Sequence, residues 1–263
     1  MDLGLDGKIA LITAASEGLG FGCAVKLAEA GCAVAICARH NESLGAARQK
    51  LIQAGAKSVL ALKADISDRA SLEQLVADVL KHFGRIDVLV VNFGHIAYGG
   101  LEDLTESQWY EAFELLLMSA VRLTRLALPA MRANKGGDII FLGSSTVKEP
   151  PPHLLLSTVM RLGVVGLTKT LARSVAADNI RVNLIAPGYF DTGRVHQSVR
   201  ALMKDEGLSQ REAANRVSGG LPIGRLGTAE EFGELIAFVA SRKAGFMTGA
   251  AIGIDGGGSR SLF

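Results

Sequence analysis

The stretch KIALITAASEGLG, from Lys8 to Gly20, decides how this chain folds. Its first part, Lys8–Thr13, is a short apolar run that predicts a buried strand. Gly18 and Gly20 then open an amphipathic stretch, so a helix begins directly behind the strand. A strand, glycine turn and helix in this order let the backbone approach a phosphate group at the positive end of the helix. On its own, such a turn does not separate dinucleotide-binding sheets from flavin-binding and other nucleotide-binding sheets.

Apolar runs and amphipathic stretches alternate along the rest of the chain. VAICA (Val34–Ala38) and DVLVVN (Asp87–Asn92) are apolar almost throughout, which is typical of parallel strands covered by helices on both faces. The sequence therefore predicts an α/β protein with a single-domain, doubly wound parallel sheet of the Rossmann type, flanked by helices on both faces. The predicted strands are Lys8–Thr13, Ala33–Ala38, Ser58–Lys63, Ile86–Asn92, Asp138–Leu142, Ile180–Ile185 and Ala250–Ile254. The predicted helices are Gly18–Ala30, Glu42–Ala54, Asp68–Phe83, Thr105–Ala133, Leu156–Ala177 and Ala229–Ser241.

The chain has no repeat, linker or low-complexity tract, so residues 1–263 are predicted to form one domain. One segment, Gly193–Gly220, interrupts the alternation because it is polar, charged and poorly periodic. We expect this segment to form one or two surface helices that cap a cleft as a substrate lid.

Composition excludes several classes of protein. The chain carries 28 Lys and Arg against 26 Asp and Glu, with both signs spread along it, so it lacks the basic surface that nucleic-acid binding needs. Cys23, Cys32 and Cys37 suit reduced core residues, and no His, Cys and Asp cluster has metal spacing. The first residues do not resemble a secretion signal, and no apolar run approaches the roughly 18 residues of a membrane span. We expect a cytoplasmic protein with no membrane, nucleic-acid or metal partner.

Five segments in order make the chain resemble the short-chain dehydrogenase/reductase family over nearly its whole length. The turn Thr13–Gly20 is similar to the family's Thr-Gly-x-x-x-Gly-x-Gly, with Ala14 in place of the first glycine. The segments ADIS (64–67), VNFG (91–94), RVNLIAPGYFDTGR (181–194) and the C-terminal IGRLGTAEEFGELIAFVAS with TGAAIGIDGG follow. The resemblance implies a bound nicotinamide dinucleotide. The residues that it places at this cofactor are Thr13, Ser16, Gly18, Leu19, Gly20, Asp65, Ile66, Asn92, Gly94, Pro187, Gly188, Phe190 and Thr192.

The end of the second strand indicates which dinucleotide is bound. NAD-binding sheets carry an acidic residue there, which bonds the ribose 2′-hydroxyl and repels a 2′-phosphate. This chain has Ala38 followed by Arg39, whose guanidinium suits a 2′-phosphate. Glu17, within the glycine turn, favours the opposite choice. The sequence therefore favours NADP, with NAD as the alternative.

The resemblance also implies a catalytic Tyr four residues before a Lys, whose ammonium lowers the pKa of the phenol that protonates the substrate oxygen. Aligning VVGLTKTLA with the corresponding helix puts Ser157 at the Tyr position and Arg161 at the Lys position. This is no error of register, because the three tyrosines, Tyr98, Tyr110 and Tyr189, are followed four residues later by Glu102, Glu114 and Gly193.

Of the family's two supporting groups, a Ser and an Asn, one is retained. Ser144 keeps its spacing of thirteen residues from position 157, whereas Leu116 stands where the Asn is expected. The candidate catalytic residues are therefore Ser144, Ser157 and Arg161. Arg161 either positions the nicotinamide ribose or pairs with a carboxylate, but it does not exchange protons. Ser157 is either a relay through Ser144 or water, or a small residue that faces the cleft.

Other titratable side chains are candidates for the missing acid and for substrate contact. His95 follows the predicted fourth strand, and His153 lies in the Pro-rich loop KEPPPHLLL between Ser144 and Ser157. Imidazole is suited to proton transfer near neutral pH. Tyr98 and Tyr189 are further candidates, and the alternative for each is an ordinary local hydrogen bond.

Three functions remain open from the sequence. The first is an atypical NADP-dependent oxidoreductase that acts on a small carbonyl or alcohol, either slowly or with a substitute proton donor. The second is a lyase, dehydratase or isomerase on the same scaffold, and the third is a non-catalytic NADP-binding subunit. The helices Trp109–Ala133 and Leu156–Ala177 carry more apolar surface than one sheet face covers, so we also predict a homotetramer or homodimer.

Overall fold

A parallel sheet forms the centre of the molecule. The strands are β1 (Ile9–Ile12), β2 (Ala33–Ala38), β3 (Val59–Lys63), β4 (Val88–Val91), β5 (Gly137–Leu142), β6 (Ile180–Pro187) and β7 (Ala251–Ile254). The computed structural model describes residues 2–218 and 220–262, and in it these strands pair in parallel in the order β3-β2-β1-β4-β5-β6-β7. The chain order reverses between β1 and β4, and a doubly wound sheet binds ligands at the carboxyl ends of its strands at this point. The predicted fold class is confirmed.

Helices cover both faces of the sheet. They are α1 (Gly18–Glu29), α2 (Asn41–Gln53), α3 (Arg69–Phe83), α4 (Glu106–Ala112), α5 (Ser119–Ala133), α6 (Leu155–Val175), α7 (Gly193–Glu206), α8 (Gln210–Ser218) and α9 (Ala229–Ala240). On one face, α1, α2 and α9 bury residues such as Leu27, Leu51 and Phe232 against the sheet. On the other face, α3, α5 and α6 do the same. The apolar strands predicted this two-sided burial.

The region predicted as one helix, Thr105–Ala133, contains a wider turn. Thr105 begins it with a capping box shared with Gln108. A π-helix over Phe113–Met118 then joins α4 to α5. The Ser119 hydroxyl donates to the Leu115 carbonyl at 2.5 Å, which satisfies an oxygen that the wider turn leaves without its usual α-helical partner. The extent of the helical region agrees with the prediction, and the π-helix is an addition.

The predicted lid, residues 193–220, contains α7 and α8, and its residue 219 lies outside the described part of the chain. The two helices share a small apolar core of Val195, Val199 and Ala213, separate from the two large cores beside the sheet. His196, at the start of α7, bonds the Asp191 carboxylate at 2.6 Å. The segment is therefore built as a helical pair, and its action as a lid stays a prediction.

The stretch Leu155–Asp178, which contains α6, is long and apolar enough to cross a membrane by length and hydropathy alone. The expectation that no such stretch exists is therefore too strong. In the fold, the stretch packs on the sheet and buries nine residues of α6, among them Arg161. It is one of the three helices that cover this face of the sheet.

The three cysteines are buried and free. Burial raises the pKa of Cys32 and of Cys37 to about 12, and it also raises the pKa of Cys23. Because the thiolate is the reactive form, these thiols are unreactive near neutral pH.

Candidate active site

Thr13 joins the carboxyl ends of β1 and β4, where the sheet order reverses. Its buried hydroxyl donates to the Asn92 carbonyl at 2.7 Å and accepts from the Asn92 amide at 3.0 Å. The Asn92 side-chain amide donates to the Ala14 carbonyl at 2.9 Å. Thr13 and Asn92, both expected at the cofactor, thus form the floor of a crevice and hold the turn above it.

The glycine turn, residues 13–20, has left-handed backbone at two positions. Gly18 has a φ of +57° and Ala14 a φ of +47°. Glycine adopts this conformation readily, whereas an L residue is disfavoured there by roughly 1–2 kcal/mol. A Cβ on Gly20 would lie 2.5 Å from the Ala14 carbonyl oxygen. Gly20 therefore allows α1 to start against the turn, and Ala14 is tolerated at the cost of backbone strain.

The start of α1 offers its amides to a ligand. Among the described residues, Glu17 makes no capping hydrogen bond with its side chain, and the first turn holds no acidic residue. Ser16 and Leu19 are half-buried beside these amides. An uncapped helix start behind a glycine turn suits a phosphate because its amides and the helix dipole both favour negative charge.

Arg39 and Asp65 lie at the ends of the neighbouring strands β2 and β3. The Ala64 amide donates to the Ala38 carbonyl at 3.0 Å, which extends the pairing of the two strands toward these residues. Partial burial alone would raise the pKa of Asp65, but hydrogen bonds from Ser67 and the nearby Arg39 charge lower it overall. Arg39 itself is exposed and carries its charge at the edge of the crevice, as the NADP prediction requires.

Ile66, also expected at the cofactor, is only 5% exposed and packs in the core beside α3. Only its backbone can therefore face a ligand. Gly94 lies half-buried at the end of the turn that follows β4, above the side chain of Leu115.

The loop after β6 completes the crevice on the other side. The Gly188 amide donates to the Ile254 carbonyl at 2.9 Å, which ties this loop to the end of β7. A Cβ on Gly18 would lie 3.7 Å from the Thr192 methyl group, so Thr192 stands beside the glycine turn. Phe190 is 5% exposed and meets the ring of Phe232 edge-on at 5.3 Å. Thr192 thus reaches the crevice, while the Phe190 ring anchors the loop from below.

Ser157 and Arg161 lie together but are buried. Their exposed fractions are 4% and 6%. The Arg161 Nε donates to the Ser157 hydroxyl at 3.1 Å, and its Nη1 donates to the carbonyls of Leu142 and Gly143 at 2.8 and 2.9 Å. The guanidinium also lies 5.3 Å from the centre of the Phe93 ring. Arg161 therefore fastens α6 to the end of β5 and to the turn after β4.

Ser144 follows directly on the two carbonyls that Arg161 binds. It is half-buried, and its hydroxyl accepts from the Thr146 amide at 3.3 Å. Leu116, at the expected Asn position, is fully buried within the π-helix. Of the positions aligned with the family's catalytic groups, only Ser144 carries a partly exposed hydroxyl.

Two loops bring further candidates to the same edge of the sheet. The Gly99 amide donates to the His153 carbonyl at 2.9 Å, and Gly99 forms a short parallel bridge with Leu154. The loop of His95 and Tyr98 therefore touches the loop of His153, and all three side chains are exposed. Tyr189 is 39% exposed and lines a cavity of about 130 Å³. The contact between these two loops was not visible in the sequence, because it joins Gly99 to a segment more than fifty residues away.

Sequence reasoning missed Phe93, whose ring contacts the Arg161 guanidinium. The family writes Ala at this position of its Asn-Asn-Ala-Gly motif, and this chain carries Phe two places after Val91. The exchange of Ala for Phe at position 93, together with the exchange of Lys for Arg at position 161, could have indicated that these two residues contact each other. An aromatic face and a guanidinium at two divergent positions are partners for a cation–π contact.

The sheet order, the glycine turn at the reversal and the basic end of β2 define a dinucleotide-binding α/β protein. A family model described as "Enoyl-(Acyl carrier protein) reductase" matches residues 13–259. Dehydrogenase/reductase SDR family member 4 of Caenorhabditis elegans is 31% identical over 253 residues, which is 96% of this chain and 95% of the relative. This chain belongs to the short-chain dehydrogenase/reductase family.

Two further relatives bear on the cofactor. NADPH-dependent reductase BacG of Bacillus subtilis is 28% identical over 256 residues, covering 97% of this chain and 99% of the relative. The structure of L-sorbose reductase from Gluconobacter frateurii, complexed with NADPH and L-sorbose, is similar with a TM-score of 0.96 and 33% identity over 100% of both chains. The relatives are oxidoreductases, and the choice of NADP over NAD agrees with the cofactor named for these two.

Proposed function

We propose that this protein transfers hydride between NADPH and a small carbonyl or alcohol, with a proton donor other than a tyrosine at position 157. The contrast between the two sides of the crevice carries the proposal. The glycine turn and Arg39 are arranged for a dinucleotide with a 2′-phosphate, whereas position 157 holds a serine that is 4% exposed. The protein is accordingly a divergent family member that lacks the Tyr-x-x-x-Lys pair.

The residues along the crevice fit NADPH. The uncapped amides of α1 would hold the pyrophosphate, Arg39 would hold the 2′-phosphate, and the loop of Pro187, Gly188 and Thr192 would hold the nicotinamide. NADPH, when bound, supplies the hydride. Arg161 lies beneath the crevice and supports it by holding the end of β5 and the turn after β4 in place. The pair α7 and α8 closes over the substrate and excludes water.

Reduction adds a hydride to the carbonyl carbon and a proton to the carbonyl oxygen. Arg161 does not release that proton, because a guanidinium stays protonated in proteins. Ser157 is hydrogen-bonded to Arg161 and is a very weak acid. We place the proton donor in the two loops that meet at Gly99, on one of the exposed side chains His95, Tyr98 and His153, with Ser144 orienting the substrate oxygen.

The rate follows from this arrangement. A well-positioned general acid accelerates a reaction by roughly 10²–10⁴-fold. A less well-positioned donor loses part of that factor, while the alignment of hydride and carbonyl by the fold remains. We expect slow, measurable reduction of a few substrates.

The test measures NADPH binding by fluorescence and NADPH consumption with a panel of small ketones, aldehydes and ketoses. We expect saturable binding and slow consumption with some members of the panel. Absence of NADPH binding at millimolar concentration contradicts the proposal. The donor is then identified with His95→Ala, His153→Ala and Tyr98→Phe, where the responsible variant lowers kcat and changes its pH profile. Tyr110→Phe is the matched control, because Tyr110 is 63% exposed on α4, outside the two loops.

A second candidate is an NADPH-binding subunit without catalysis. The burial of Ser157 and Arg161 favours it, because both positions that are aligned with the catalytic pair serve the packing of α6. Tight NADPH binding with no consumption across the panel would support this candidate over the first.

The apolar outer face of α4, the π-helix and α6 supports self-association. Tyr110 and Phe113 are 63% and 37% exposed, and Val159 and Leu162 are 42% and 47% exposed. A second copy of the chain covers this face in a dimer or tetramer. Light scattering of the purified protein tests this, and Leu162→Lys is expected to shift the mass toward the monomer. A monomer for the unmodified protein at micromolar concentration contradicts it.

A further inference from the structure

A cavity of about 270 Å³ opens at the amino-terminal edge of the sheet, at the opposite end of the strands from the glycine turn. The starts of β1, β4, β5 and β6 line it, together with the turn between α5 and β5 and the end of α9. Ligand pockets commonly begin at about 300 Å³. The cavity therefore suits a small molecule and is too small for a second dinucleotide.

The carboxylate of Asp87 in this cavity is already engaged by cations. It accepts from the Lys8 ammonium at 3.2 Å, from the Arg85 Nε at 2.9 Å and from the Ile9 amide at 3.0 Å. Burial opposes these contacts, yet together they hold the pKa of Asp87 below its ordinary value. Asp87 is therefore ionised and fully used within the protein.

The second carboxylate, Asp138, is engaged by Arg181. The Asp138 carboxyl lies 2.6 Å from the Arg181 guanidinium. The Arg181 guanidinium also donates to the carbonyls of Ala244, Val239 and Ser241 at 2.7, 2.9 and 3.0 Å. Neither Asp138 nor Arg181 therefore attracts a ligand of opposite charge by itself.

Two further cations, Lys135 and Arg242, line the cavity. Lys135 comes from the turn between α5 and β5, and Arg242 comes from the turn after α9. Within residues 2–218 and 220–262, neither side chain makes a hydrogen bond or an ion pair. The lining thus holds four cations against two carboxylates. This excess of positive charge in the lining attracts anions from solution.

We propose that this cavity binds a small oxyanion, a carboxylate or a phosphate, between Lys135 and Arg242. The planar fork of a guanidinium matches the two oxygens of such a group, and an ammonium adds a point charge. Because the two cations stand on different elements, the anion bridges the end of α9 to the turn before β5. The site is separate from the crevice and does not depend on the proposed reductase activity.

The test compares thermal unfolding in phosphate and in citrate with unfolding in chloride at equal ionic strength. Saturating NADPH is present throughout, so that the oxyanions cannot bind at the glycine turn or at Arg39. If NADPH does not bind, all variants are instead made in an Arg39→Ala background. The double variant Lys135→Gln, Arg242→Gln removes these two cations from the lining of the cavity. Lys81→Gln, Lys243→Gln is the matched control, because it removes the same charge from exposed positions outside the cavity.

We expect at least one of the two oxyanions to raise the unfolding temperature of both the unmodified protein and the control variant. At an oxyanion concentration of about 100-fold its Kd, the rise should be about 5 °C. The cavity variant is expected to show no such rise. The more effective of phosphate and citrate names the preferred group. An equal rise in the cavity variant, or no rise above chloride in the unmodified protein, overturns the proposal. NADPH binding, measured in the same samples, reports on the crevice independently.

Discussion

Replacement of Arg161 by methionine tests whether this side chain is part of the framework of the fold. The guanidinium bonds the carbonyls of Leu142 and Gly143 at 2.8 and 2.9 Å. Hydrogen bonds that involve a charged group contribute about 1.5–3 kcal/mol each. The two bonds together are therefore worth at least about 3 kcal/mol, and the contact with the Phe93 ring adds roughly 0.5–2 kcal/mol. Methionine recovers part of this by apolar packing, so we expect Arg161→Met to destabilise the fold by about 3 kcal/mol.

For a domain of this size, about 3 kcal/mol corresponds to a fall of roughly 6–12 °C in Tm. Circular dichroism during heating measures the change. Arg161→Lys keeps the charge but loses the planar fork, so its Tm should fall by about half as much as that of Arg161→Met. Arg173→Met is the control, because Arg173 is exposed in the last turn of the same helix. A Tm within about 1 °C of the unmodified protein for Arg161→Met would refute the framework role.

Three further predictions concern the turn, the cofactor choice and the far edge of the sheet. Ala14→Gly relieves the left-handed strain at a φ of +47° but adds chain entropy, so Tm should rise by about 2–3 °C in a thermal melt. Arg39→Ala should weaken NADPH binding by about 10–100-fold and leave NADH binding unchanged in fluorescence titrations, because only the 2′-phosphate loses a partner. Burial raises the pKa of Asp138 to about 7 from 3.8, against the opposing charge of Arg181. The folded state then holds a proton that the unfolded state releases, so stability falls as pH rises from about 4 to 7, and Asp138→Asn should remove this slope in urea unfolding at pH 5 and pH 8.

The strands and most helices follow from local sequence. Continuous apolar runs such as Val34–Ala38 require cover on both faces, and the predicted strand ends lie within two residues of the observed ones. The π-helix at Phe113–Met118 has no such signal, because its residues are ordinary helix formers. It depends on how α4 and α5 pack on the sheet, with Ser119 able to satisfy a carbonyl there.

The turn that we assign to the phosphate was visible in the sequence because its residues are contiguous. Gly18 and Gly20 shape one turn through their backbone, and Thr13 lies in the same short segment, so their spacing in sequence already describes the geometry. The proposed catalytic end combines distant segments. Arg161 reaches the carbonyl of Leu142, 19 residues earlier, only because α6 lies beside β5. The sequence predicted a cation in the cleft, whereas in the fold Arg161 is buried and bonds the carbonyls at the end of β5.

The interpretation of Ile66 and Phe190 shows the same limit. Both follow motifs that the family uses at its cofactor, yet their side chains are 5% exposed in the core. A motif specifies which backbone passes the ligand, whereas the direction of each side chain is set by the neighbours it packs against. For Phe190 that neighbour is Phe232, whose place on α9 is far along the chain.

The most direct test of the central claim is a single-turnover experiment with NADPH that carries deuterium at the transferable position of the nicotinamide. Mass spectrometry of the product detects even a slow reaction, because one transfer per molecule is sufficient. We predict deuterium in the alcohol formed from at least one carbonyl of the panel, including in a variant in which Tyr98, Tyr110 and Tyr189 are all phenylalanine if the donor is His95 or His153. Protein that binds NADPH fully and transfers no deuterium to any carbonyl would contradict the assignment of a reductase.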